Sequence, residues 1–107
     1  MQIDFDNDEL EGFILYGLAK GRPYSKWKSN RQLRADLDKV MKILRRVPNC
    51  QELTCYGALN YEVLKYGRTG QSSVRLGFKA KFRLIFVELD NRIRIKIIEL
   101  NEHYGDK

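Results

Sequence analysis

Histidine, tryptophan, proline and cysteine are scarce in this 107-residue chain, which has one His, one Trp, two Pro and two Cys. A lone imidazole, His103, excludes any mechanism that needs two and leaves no basis for a multi-His metal site. Four residues separate Cys50 from Cys55. That is neither the CxxC redox spacing nor half of a zinc site, because no second cysteine pair or His cluster would complete four ligands. Two reduced, partly buried thiols are expected, and no metal or cofactor. Long apolar runs are missing too: nothing approaches the ~18 residues of a membrane span. The opening MQIDFDNDELEG lacks the basic start and apolar stretch of a secretion signal. These absences point to a cytoplasmic protein without a membrane partner.

Positive charge is absent from the first 19 residues, which carry five acids. Residues 20–47 reverse this with ten bases against two acids, and residues 60–107 carry ten bases against six acids, for a net charge of +6. A basic middle behind an acidic edge suits an anionic partner on one side, with nucleic acid the first candidate. A hydrophobic content of 43% supports one core, so residues 1–107 are expected to form a single domain. No repeat, low-complexity tract or linker interrupts them.

The opening MQIDF alternates apolar and polar residues and suits a short edge strand. Asp6 with Glu9 has capping-box spacing, and Leu10, Phe13, Ile14 and Leu18 follow at helical intervals. A first helix is therefore expected over about 7–20, with Gly21 and Pro23 stopping it. Ser25 or Ser29 can open the next element. A second helix is marked by Leu33, Leu37, Val40, Met41, Leu44 and Val47, at offsets of 4, 7, 8, 11 and 14 from the first. Its other face holds Arg31, Arg34, Lys39, Lys42, Arg45 and Arg46, either a solvated surface or an RNA- or ribosome-facing one. Pro48 ends it.

From residue 61 the period falls to two. YEVLKYG reads as a strand, RTGQ as a turn, SSVRLGF as a second strand, KAK as a connection, and FRLIFVEL as a central strand apolar on both faces. Asp90-Asn91 suits a two-residue hairpin turn. In the closing RIRIKIIEL, Arg92, Arg94 and Lys96 alternate with Ile93, Ile95 and Ile97. The basic set either extends a ligand groove or guards a sheet edge, and the second use is favoured. The expected fold class is α+β, with two N-terminal helices packed on a small, mainly antiparallel sheet whose other face is open.

The stretch GALNYEVLKYGRTGQSSVRLGFKAKFRLIF, followed by an Ile-rich strand and EHY, resembles the RelE/ParE superfamily of bacterial toxins, nearest to the HigB and RelE branch. The matching residues are Ser73-Val74-Arg75, Phe82-Arg83-Leu84-Ile85-Phe86 and His103-Tyr104. FDNDELEGFILYGLAKGR looks like the first helix and glycine turn of the same proteins, so the likeness spans nearly the whole chain. Ser72 stands where many relatives place Trp, and NEHYGDK departs from the Asp-then-Tyr-and-His ending common in HigB-like chains.

The resemblance implies a type II toxin–antitoxin toxin cutting messenger RNA on the ribosome without a metal, with a cognate antitoxin as partner. Metal-free cleavage needs a proton acceptor for the attacking 2′-hydroxyl, a holder for the extra phosphate charge and a donor to the leaving oxygen. Arg75 and Arg83 match the family arginines and suit a bidentate grip on phosphate. Either can instead form a structural ion pair with Glu62 or Glu88. Lys65 and Arg68 resemble the family's basic substrate loop, or form a solvated turn. Lys79 and Lys81 suit anchors for a phosphate backbone.

His103 is the natural general acid or base if the tail folds over the sheet, with Glu102 orienting it; an exposed terminal His is the alternative. Tyr104 can stack on a base, act with His103, or pack at the strand end. Two other functions compete with the messenger-RNA endonuclease: a ParE-like DNA gyrase inhibitor, and a non-catalytic nucleic-acid-binding module. An acidic antitoxin segment would fit the basic helix or the open sheet face.

Overall fold

The computed structural model describes residues 1–77 and 81–102. Strand β1 (Gln2–Phe5) leads into helix α1 (Asp8–Tyr16), a one-turn α2 (Tyr24–Trp27) and the long α3 (Arg31–Arg46). Three short 3-10 turns (Cys50–Cys55, Gly57–Leu59 and Tyr66–Arg68) are interleaved with β2 (Glu62–Val63). Strands β3 (Ser72–Arg75), β4 (Arg83–Leu89) and β5 (Arg94–Asn101) complete one sheet, ordered β1-β5-β4-β3-β2. Only the β1–β5 pair is parallel. The α+β class and the edge position of the opening strand match expectation, and β4 is the central strand, with Leu84, Ile85 and Phe86 fully buried. No helix among the described residues is long and apolar enough to cross a membrane.

Three α-helices, not two, precede the body of the sheet, and their caps explain why. Asn7, one residue beyond the expected Asp6, caps α1 by accepting the Leu10 N–H at 2.9 Å. Gly17 then takes the left-handed conformation (φ 71°) and donates to the Phe13 carbonyl, ending the helix four residues short of expectation. The last turn of α1 has no base of its own. Arg34 of α3 supplies one, donating to the Phe13 carbonyl at 2.7 Å and to the Ile14 carbonyl. Helix α3 starts at Asn30, whose side chain accepts the Leu33 N–H at 3.0 Å, rather than at Ser25 or Ser29. Its stripe of Leu33, Leu37, Val40, Met41 and Leu44 is buried as the periodicity requires.

The register decides which sheet face meets the helices. Val74, Leu84, Phe86, Ile95, Ile97 and Leu100 join Leu10, Phe13, Ile14 and the α3 stripe in one core. Ile97 and Leu100 are three residues apart, so a regular strand would send them to opposite faces. A bulge resolves this: Phe86 pairs with Ile97 and Ile85 with Glu99, leaving Ile98 without an opposite number. Leu100 thus returns to the helical side, and Glu99 and Asn101 turn to the open side.

The expected hairpin turn is longer. Asp90, Asn91 and Arg92 are all left-handed, and Leu89 pairs with Arg94 across four intervening residues. Arg92 therefore leaves the strand, with its side chain bonded to Glu88, Gln51 and Tyr61. Arg94 pairs with Asp4 and Asp90, and Lys96 with Asp6, on a strand flanked on both sides. β5 is not an edge strand, so these bases guard no edge; the register sends both to the sheet face that carries Arg83.

Candidate functional site

Arg75 and Arg83 are directly opposite each other on the antiparallel β3–β4 pair, so both leave the sheet on the face away from the helices. Val74 and Leu84, the next opposed pair, point the other way into the core. Arg83 is only 3% exposed. A buried guanidinium must have partners, and Arg83 has them: Nε donates to Ser73 Oγ at 2.9 Å and Nη2 to the Asn60 carbonyl at 2.7 Å. Its Nη2 also lies 3.4 Å from Glu62 Oε1, and that carboxylate is 44% exposed. Burying the fork fixes its plane beside a half-exposed carboxylate.

Arg75 reaches the same 3-10 turn, with Nη2 3.4 Å from the Ala58 carbonyl. Because β2 spans only two residues, the sheet edge is open beside Arg75, which lines a hollow with Asp36, Lys39, Val40 and Ile43 of α3. The two arginines therefore start from the same strand face and reach the same turn, Arg83 buried at the Asn60 carbonyl and Arg75 at the sheet edge beside α3. Arg68 stands over the β5 side of that face, 2.9 Å from Glu99 Oε1 and 2.9 Å from Gln71 Oε1. Glu99 also accepts from Asn101 Nδ2 at 2.7 Å, and Asn101 is the cross-strand partner of Arg83. Lys65 is exposed at the start of the Tyr66–Arg68 turn, and Lys81 is exposed just before β4. Lys79, His103 and Tyr104 lie outside the described residues.

The alternative of an ion pair with Glu62 holds geometrically for Arg83, but on the open face and not beneath the helices. The sequence alone gives Glu62 no part beyond that of an ion-pair partner. The expected strand over 61–67 shrinks to Glu62–Val63, whose pairing with Ser73 and Ser72 sends Glu62 to the Arg83 side. Nothing local in YEVLK shows that register. Glu102 accepts from Trp27 Nε1 at 3.2 Å and pairs with Lys26 at 3.4 Å; His103, which it is expected to orient, lies outside the described residues. Glu102 ties the end of β5 to α2, because the bulge has turned it toward the helical side.

On the opposite face Glu88 accepts from Tyr61 Oη, from Ser72 Oγ at 2.8 Å and from Arg92 Nε at 2.9 Å. Burial alone would push its carboxyl up, but these three donors outweigh it and hold the group below the ordinary value. Burial raises the Cys50 thiol to about 12, aided by the Glu88 charge. Cys50 is buried and Cys55 exposed, so only one of the two thiols is buried.

A five-stranded sheet with helices on one face is a fold that this chain shares with solved structures of small bacterial toxins. A YoeB/ParE toxin from Agrobacterium tumefaciens superposes with a TM-score of 0.60 at 16% identity, covering 97% of this chain and all of that one. The YoeB–YefM complex from Staphylococcus aureus gives 0.54 at 23% identity, over 97% and 98% of the two chains. A YoeB dimer from the same organism gives 0.51 at 21%, with the same coverage. The resemblance to the RelE/ParE superfamily is thus borne out as a shared fold; the structures named are YoeB and ParE proteins, not HigB ones. No protein-family model and no curated protein matches the chain.

Proposed function

We propose that this chain is the toxin of a type II toxin–antitoxin system and acts as a ribosome-dependent, metal-independent endonuclease of messenger RNA. The observation that carries the reading is the Arg83–Glu62 pair: a buried, pre-oriented guanidinium beside a half-exposed carboxylate on the sheet face that no helix covers. The guanidinium is suited to the charge that builds on phosphate oxygens as a fifth bond forms. The carboxylate is suited to accept the 2′-hydroxyl proton, after which the 2′ oxygen attacks the phosphorus and the 5′ oxygen departs with a proton from a general acid. His103 and Tyr104 take the acid and stacking roles in this proposal. Arg75, Arg68, Lys65, Lys79 and Lys81 hold the flanking phosphates.

A sparse site of this kind relies on the ribosome to present the message, since positioning supplies much of the barrier reduction. An antitoxin partner follows by analogy with the YoeB–YefM assembly, and an acidic segment suits the exposed bases Arg31, Lys39, Lys42, Arg45 and Arg46 of α3. The ParE name on one structural neighbour supports gyrase inhibition as the second reading.

Primer extension on a message in a purified translation reaction, with and without ribosomes, separates the two. Ribosome-dependent cuts that fall about 10²–10⁴-fold in His103→Ala are expected. Intact message alongside cleaved chromosomal DNA would instead support gyrase inhibition.

A further inference from the structure

Among the described residues, five other than glycine adopt the left-handed conformation: Asn60, Tyr66, Asp90, Asn91 and Arg92. Asn and Asp tolerate it. Arg92 offsets the strain with bonds from its guanidinium to Glu88, Gln51 and Tyr61. Tyr66, at φ 59°, has no such compensation, because its side chain is 90% exposed and makes no hydrogen bond or ring contact among the described residues. The order of the sequence sharpens the point. Gly67, which would take that conformation without strain, lies next in the chain and outside the left-handed region.

The turn is built to hold Tyr66 where it is. The Tyr66 carbonyl accepts both the Thr69 N–H at 3.0 Å and the Thr69 hydroxyl at 3.1 Å. Arg68, two residues on, pins the turn to Glu99 at 2.9 Å, on the same face as Arg83. A bulky ring is thus kept in a strained, solvated position, on a turn that opens with Lys65 and is tied through Arg68 to the sheet face that carries Arg83. Such strain persists where the surroundings over-determine it, commonly at ligand contacts.

We infer that Tyr66 is a stacking platform for an unpaired nucleobase of the RNA, next to the phosphate held at Arg83; this rests on the nuclease reading above. A phenol ring between cationic side chains fits single-stranded nucleic acid, in which bases splay out and stack while the backbone is held electrostatically. The contact is sequence-tolerant, because every base presents a π-face.

The test uses the full-length chain and a single-stranded RNA that carries 2-aminopurine and 2′-O-methyl groups, which prevent cutting. Tyr66→Gly removes both the ring and the strain, whereas Tyr66→Phe keeps the ring. Tyr66→Gly should raise the melting temperature yet weaken binding by about 5- to 150-fold and lose the quenching of 2-aminopurine. The slope of affinity against salt should stay unchanged, since no phosphate contact is removed. Tyr66→Phe should behave as the wild type.

Wild-type binding and quenching with Tyr66→Gly unaltered would overturn this inference alone and leave the ring to a protein partner. A shallower salt slope in Tyr66→Gly would overturn it as well, by showing that the turn's cations had moved. A wild type that neither binds this RNA nor cuts message on ribosomes would remove the nuclease reading and this inference with it.

Discussion

Replacing Glu88 with Ala isolates the polar cluster that joins the Cys50–Tyr61 segment to the central strand. The substitution removes the common acceptor of Tyr61 Oη, Ser72 Oγ and Arg92 Nε. Ser72 is 4% exposed, so its hydroxyl loses its acceptor away from solvent. Leaving a buried donor unsatisfied costs about 1–3 kcal/mol. The Arg92 side chain is 42% exposed and can turn to water, so its loss adds little. With the partly buried Tyr61, the expected total is about 2–4 kcal/mol at pH 7.

The pH dependence has a definite sign. Glu88 is held below its ordinary carboxyl value of 4.5 in the folded protein. Its contribution is therefore full above that unfolded value and declines as the pH drops through the lower folded one. Urea denaturation at pH 7, 5 and 3.5 should show a gap between wild type and Glu88→Ala that is stable from 7 to 5 and narrows in acid. A gap below about 1 kcal/mol at pH 7, or one that widens as the pH falls, would refute the assignment of Glu88 as an ionised, triply bonded acceptor.

Other expectations are simpler. Gly77 is left-handed at φ 77°, and a Cβ there would sit 2.5 Å from Asp36 Oδ2; Gly77→Ala should cost about 1–3 kcal/mol in chemical denaturation, and Gly77→Ala in an Asp36→Ala background noticeably less. Cys55 is exposed and Cys50 buried, with its thiol raised to about 12, so a thiol reagent near neutral pH should label one equivalent quickly and the second only on unfolding. Arg34→Ala removes the side chain that closes the α1 carbonyls and should cost about 1–2 kcal/mol in the same denaturation assay.

Legibility from the sequence followed the strength of the local period. The α3 stripe is a long, unbroken 3.6-residue pattern, and burial follows it residue by residue. β4 is readable because apolar residues on both of its faces require cover on both sides. α1 was overrun because Leu18 fits the period, while the left-handed turn at Gly17, closed by Arg34 from another helix, is a tertiary fact. The strand over 61–67 failed for a related reason: Lys65 to Arg68 fold into a 3-10 turn tethered by Glu99, a contact 31 residues away in sequence. Arg83 stands out in the sequence through the resemblance alone. The face that Glu62 takes is not readable in YEVLK, because only the two-residue pairing of β2 with β3 sets it.

A double-substitution cycle on the paired groups tests the central claim most directly. Message cleavage in a ribosome-containing translation reaction is measured for wild type, Arg83→Ala, Glu62→Gln and the combination, with melting temperatures checked alongside. Each single change should lower cleavage by about 10²–10⁴-fold with the fold retained, and the pair should lose little more than the worse single, as expected of groups acting as a unit. Full cleavage by a folded Arg83→Ala or Glu62→Gln protein would contradict the account.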